Sequence, residues 1–183
     1  MSFVATLRAA TAADHAHVDA RFGALRLDDA AEYRVMLQAH ARALPAVEAA
    51  LAEGAGAATL PDWRPRALSL AADLTDLEVV PSPPLPFAEF DTSERGDGAR
   101  WGALYVLEGS RLGGQLLARG VAADLPHRYL SARHLPGEWR ALLAAFDARA
   151  AAASPAWREG ALEGARATFA LYATAAALEG VGN

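Results

Sequence analysis

The segment Trp101 to Gly120, WGALYVLEGSRLGGQLLARG, is patterned as a helix yet carries glycines inside it. At about 100° per residue, Gly102, Gly109, Gly113 and Gly120 fall within roughly 40° of one another on a helical wheel, while Gly114 sits well off that stripe. Each interior glycine costs about 1 kcal/mol relative to alanine, so a row of them on one face needs a physical reason. Two are open. Another helix backbone packs closely against a groove of small residues, or a flat ligand lies directly on the helix backbone.

The rest of the chain reads as helices separated by proline and glycine. Alanine is abundant, β-branched residues are sparse and no run alternates, so the expectation is an all-α, single-domain bundle over residues 1–183. The first helix is expected from about Val4 to Phe22, the second from Ala30 to Glu53, and the third from Ala67 to Leu77. VVPSPPLPF, Val79 to Phe87, reads as an extended surface linker. The glycine-bearing helix begins near Ser93 or Gly98, and another spans Gly137 to Ala152. Ser154 and Pro155 supply the N-cap and first turn of the last.

Composition excludes several chemistries. With no cysteine there are no disulfides, thiolate metal sites or cysteine nucleophiles, so any metal must be held by His, Asp, Glu or Tyr. Net charge is −5 and the arginines are scattered, which leaves no nucleic-acid footprint. No signal peptide is recognisable, and no segment reaches the ~20 apolar residues of a membrane span. A cytoplasmic protein is the expectation. There is no Glu-x-x-His pair for a di-iron bundle, and no Gly-x-Ser-x-Gly or HExxH pattern.

Among the histidines, His15 is the candidate ligand. Leu7, Thr11, His15, Val18 and Phe22 form one stripe on the first helix, which places His15 on the buried face and His17 towards solvent. A lone histidine on an apolar face is more often a hydrogen-bonded core residue. Here Asp19 lies one turn on, placed to accept from the second ring nitrogen as carboxylates do behind metal-bound imidazoles. Arg8 lies seven residues earlier, nearly in line. A cation, an imidazole and a carboxylate along one face suit a planar, iron-bearing ligand with a carboxylate edge. His40 shares a stripe with Met36 and Val47 and reads as core, whereas His127 and His134, in the turn-rich connection, read as exposed.

LRAATAADHAHVD, Leu7 to Asp19, resembles the first helix of the heme oxygenase family in its bacterial, biliverdin-producing branch. LYVLEGSRLGGQ, Leu104 to Gln115, resembles that family's distal helix, and SPAWREGALEGARATF, Ser154 to Phe169, its last helix. The resemblance implies an iron-ligating role for His15, a carboxylate partner in Asp19 and propionate contacts from Arg8 and Tyr105. It makes Gly109 and Gly113 the close-approach glycines, followed by Gly114, and places Phe169 on the pocket wall. Ser110 stands where animal enzymes carry an aspartate that organises distal water. Their second propionate clamp falls on Ala145, with Arg140 and Arg149 as candidate substitutes.

The implied activity is oxidative cleavage of haem b, both prosthetic group and substrate, by O2 and external electrons to biliverdin, carbon monoxide and ferrous iron. Implied partners are a redox protein, either a reductase or a ferredoxin, and a biliverdin-binding photoreceptor, with no nucleic acid or membrane. A haem carrier or sensor of the same fold without oxygenase activity is the alternative, and a helical interaction module with a glycine packing face is a third. The in-line Arg8, His15 and Asp19 set the first two apart from the third.

Overall fold

A computed structural model of the chain describes residues 2–87 and 89–181. Among these residues there are eight α-helices and two short 3-10 turns, with no strand. The helices are α1 (Phe3–Ala10), α2 (Ala12–Phe22), α3 (Ala30–Ala52), α4 (Ala67–Asp76), α5 (Glu94–Leu117), α6 (Arg128–Ser131), α7 (Glu138–Ala152) and α8 (Pro155–Leu178).

Local chemistry sets the boundaries. The Oγ atoms of Ser2, Ser93 and Ser154 accept the amides of Ala5, Gly96 and Trp157, and Asp29 caps α3 through the amides of Ala31 and Glu32. Gly137 precedes α7 at φ 84°, a left-handed conformation suited to glycine. The expected first helix is two helices. Thr11 Oγ1 donates to the Leu7 carbonyl at 2.9 Å, the back-bonding that bends helices, and its backbone departs to φ −111°, ψ 8°. The connection between Pro126 and Pro136, expected to be turns, holds the single turn α6. Its Arg128 and Tyr129 amides are held by the buried Asp73 carboxylate at 3.1 and 2.9 Å.

The α5–α8 pair forms the spine. A Cβ at Gly98 or Gly102 of α5 would collide with the carbonyl oxygen of Trp157 or Ala161, and one at Gly160 or Gly164 of α8 with that of Arg95 or Ala99. The two backbones therefore touch over two turns. One apolar cluster centres on α3, with Tyr33, Met36, Leu37, Leu44 and Leu51 fully buried. A second joins Leu7, Trp101, Phe146, Trp157 and Phe169 between α1, α5, α7 and α8. No helix among the described residues is long and apolar enough to cross a membrane.

Candidate functional site

The glycine stripe divides along its length. Gly102 is a packing glycine against α8, whereas a Cβ at Gly109 would meet only Trp139 Cη2, at 3.5 Å, and one at Gly113 nothing within 4 Å. Helix packing accounts for the first half of the stripe and leaves the second half unexplained. Gly114 belongs to neither: its Cβ would stand 3.2 Å from the Leu130 carbonyl oxygen, so its glycine lets α6 approach α5. This packing accounts for the glycine without a ligand.

His15 and Asp19 are joined as expected, Nδ1 lying 3.0 Å from Oδ2. The burial expected for His15 is not found: its side chain is 61% exposed. Of the expected stripe, Leu7, Thr11 and Phe22 are buried while His15 is exposed. Its ring meets the Phe169 ring edge-on at 5.6 Å. Among the described residues its Nε2 has no hydrogen-bond partner, whereas His17 Nε2 accepts from Arg21 Nε at 3.2 Å. The two histidines thus differ in what their nitrogens do rather than in depth.

From Phe169 the apolar cluster leads to α5. Phe169 and Tyr105 are both nearly buried in it, and Trp139 packs against it. The Tyr105 ring lies 5.8 Å from that of Trp139 and 6.0 Å from that of Phe146. Its hydroxyl makes no hydrogen bond among the described residues. Arg8, exposed in the last turn of α1, has no ion pair among them. His15 thus meets Phe169 of the same apolar cluster that holds Tyr105, against which Trp139 packs beside Gly109 on the uncovered face of α5.

Behind that face lies a buried polar network that the sequence did not disclose. Ser110 Oγ donates to the Leu107 carbonyl at 2.6 Å and accepts from Arg66 Nη2 at 2.7 Å. Glu48 accepts the Arg66 and Ala67 amides at 2.6 and 3.0 Å, and burial pushes its carboxyl above the ordinary range. His40 is core, as expected. Its Nδ1 is 2.8 Å from the Tyr129 hydroxyl, and burial with nearby Arg66 pushes it down to about 3. Glu108 bonds Arg111 Nε at 2.8 Å and His134 Nε2 at 3.1 Å. His134, expected in solvent, has a side chain only 7% exposed, stacks on Trp139, and is held below its ordinary pKa chiefly by burial. The candidate substitute clamp Arg149 is engaged elsewhere: it pairs with Asp97 at 2.8 Å and covers the Trp157 ring.

The donor set fits haem. One imidazole nitrogen is free while a carboxylate orients the other, an aromatic wall stands beside the ring, and two glycines leave space that a side chain would fill. No family model matches the chain. A crystal structure of NO- and CO-bound heme oxygenase from Neisseria meningitidis shares the fold, with a TM-score of 0.80 over 100% of this chain and 94% of that one, at 24% identity. The fold is therefore the all-α fold of a heme oxygenase. A curated heme oxygenase from Xanthomonas campestris pv. campestris (strain 8004) is 33% identical over 157 residues, covering 82% of this chain and 92% of that protein. The chain belongs to the heme oxygenase family.

Proposed function

We propose that the protein, acting as a single domain over residues 1–183, cleaves haem b oxidatively to biliverdin, carbon monoxide and ferrous iron. The observation that carries this reading is the half-stripe Gly109–Gly113, which no helix among the described residues covers, on the same apolar cluster as the Phe169 ring that meets His15. The haem, once bound, supplies the redox iron and the porphyrin edge that is oxidised, with O2 as oxidant. The protein's part is position and polarity. Asp19 accepts the Nδ1 proton of His15, which would leave the Nε2 lone pair to hold the haem iron. Phe169 and Trp139 exclude water from the apolar faces, and Arg8 and Tyr105 orient the propionates. Gly109 and Gly113 would let the haem lie against α5 backbone rather than a side chain. Electrons come from an external reductase or ferredoxin, the protein works in the cytoplasm, and its pigment can supply a biliverdin-binding photoreceptor.

Haem binding tests the site separately from turnover. Haemin titrated into the wild-type protein and into His15→Ala and His17→Ala should give a histidine-ligated spectrum in wild type and His17→Ala only. An equal or larger effect at His17 would refute the ligand assignment.

A further inference from the structure

Gly98 and Gly102 lie against α8 backbone, which fixes the first half of α5. The second half is met from behind by α6. A Cβ at Gly114 would stand 3.2 Å from the Leu130 carbonyl oxygen and 3.7 Å from the Leu130 Cα, so the atoms it faces are backbone. α6 is a single turn of four residues, too short to hold a position by its own hydrogen bonds. It is held from outside. The fully buried Asp73 carboxylate of α4 accepts the Arg128 and Tyr129 amides at 3.1 and 2.9 Å, and Arg128 Nη1 at 3.1 Å. The Tyr129 hydroxyl lies 2.8 Å from His40 Nδ1, and the Tyr33 hydroxyl donates to the Pro126 carbonyl at 2.8 Å. Desolvating a carboxylate is costly, and the turn that this one fixes reaches α5 at the residue next to Gly113.

We propose that Asp73 is a positioning residue for the Gly109–Gly113 face: it fixes α6 as a backstop, and the backstop sets how far α5 stands forward on the haem side. This rests on the function proposed above. At about 100° per residue, Gly114 stands roughly 120° round α5 from the midpoint of Gly109 and Gly113. A helix pushed off α6 moves towards the azimuth opposite Gly114, which is about 40° from that of Gly109. Because α8 holds the first half, the movement falls on the second half, where the two glycines are. Any crowding between α5 and a fixed α6 is therefore passed to the ligand face, whereas an α6 free to yield absorbs it.

Gly114→Ala places a methyl 3.2 Å from a carbonyl on the turn that Asp73 holds, so α5 must give by a few tenths of an ångström. Haemin titration should show roughly tenfold weaker binding, and the carbon monoxide stretching frequency of the ferrous haem complex should shift. Asp73→Asn keeps one acceptor oxygen and replaces the other by a donor, which loosens α6. The double variant should therefore bind haem more tightly than Gly114→Ala alone and return the frequency towards wild type, while the haem-free protein melts lower. If Asp73→Asn does not fold, Tyr129→Phe, which frees α6 from His40, carries the same comparison. A role in stability alone would lower melting additively and leave affinity and frequency per folded molecule at wild-type values, and that result overturns the proposal. So does a double variant whose affinity and frequency stay with, or move beyond, those of Gly114→Ala. A wild-type protein that takes up no haem overturns the function reading and this proposal with it. Uptake with affinity and frequency unmoved by Gly114→Ala overturns this proposal alone.

Discussion

Alanine at Gly102 and at Gly113 should move the stability of the haem-free protein in opposite directions, although both lie on one stripe of α5. Helix propensity favours alanine by up to about 1 kcal/mol at each. At Gly113 nothing lies within 4 Å of the new methyl, so the gain is kept. At Gly102 the methyl collides with the Ala161 carbonyl oxygen and stands 2.9 Å from the Ala165 amide nitrogen. These are backbone atoms of a buried helix and cannot rotate aside, so α5 and α8 must part. Overpacking costs roughly 1–3 kcal/mol, and more where backbones are forced apart. With about 2–4 °C per kcal/mol for a chain of this length, Gly113→Ala should melt about 1–4 °C higher and Gly102→Ala several degrees lower. Gly109→Ala should follow Gly113, since 3.5 Å from Trp139 is ordinary contact. Haem turnover per folded molecule should collapse at Gly109 and Gly113 and persist at Gly102. Thermal melting by circular dichroism, followed by single-turnover absorbance, measures both. Raised melting with intact turnover at Gly109 and Gly113 would refute the ligand face, and unchanged melting in Gly102→Ala would refute the close α5–α8 contact.

Arg8→Ala and Tyr105→Phe should each weaken haem binding roughly tenfold, the value of one charge-assisted or buried hydrogen bond, and should alter the biliverdin isomer mixture. An unchanged mixture in the double variant would count against their propionate role. Neutral His40, pushed down to about 3 by burial and Arg66, gives a stability contribution fully present above about pH 6.5. That contribution is lost at up to about 1.4 kcal/mol per pH unit as the pH falls from there towards 3, because the unfolded chain binds the proton first. Urea denaturation of His40→Gln between pH 4 and 6.5 should show a shallower slope, and an identical slope would contradict the assignment. Glu108→Gln leaves Arg111 buried without its carboxylate and should destabilise the protein by about 3–5 kcal/mol. A neutral result in the same denaturation assay would show that the cluster is solvated.

Much of the fold was legible because capping and propensity act locally. Ser93, Ser154 with Pro155, and the bounds of α3 and α7 follow from residues within one turn of each terminus. The break at Thr11 did not follow, since a threonine back-bonding to Leu7 leaves the helical pattern of the sequence intact. The stripe on α5 marked where glycine was required without marking why. Only the position of α8 separates Gly102 from Gly109 and Gly113. The His15–Asp19 pair is an i,i+4 contact and was readable for that reason. Arg66, Glu108 and His134 were not, because a charged or titratable side chain, in a loop like Arg66 and His134 or on a helix like Glu108, carries no sign of burial until distant elements close over it. The same holds for Trp139, whose ring reaches Gly109 only because α7 is set against α5.

Consumption of haem separates an oxygenase from a carrier or sensor. Its most direct measurement is carbon monoxide release from the purified protein loaded with haem and supplied with a reductant in air. Carbon monoxide should appear in proportion to haem lost, with the Soret band falling as biliverdin absorbance rises. A haem spectrum that persists under reductant and air, with no carbon monoxide released, would contradict it and identify a carrier or sensor.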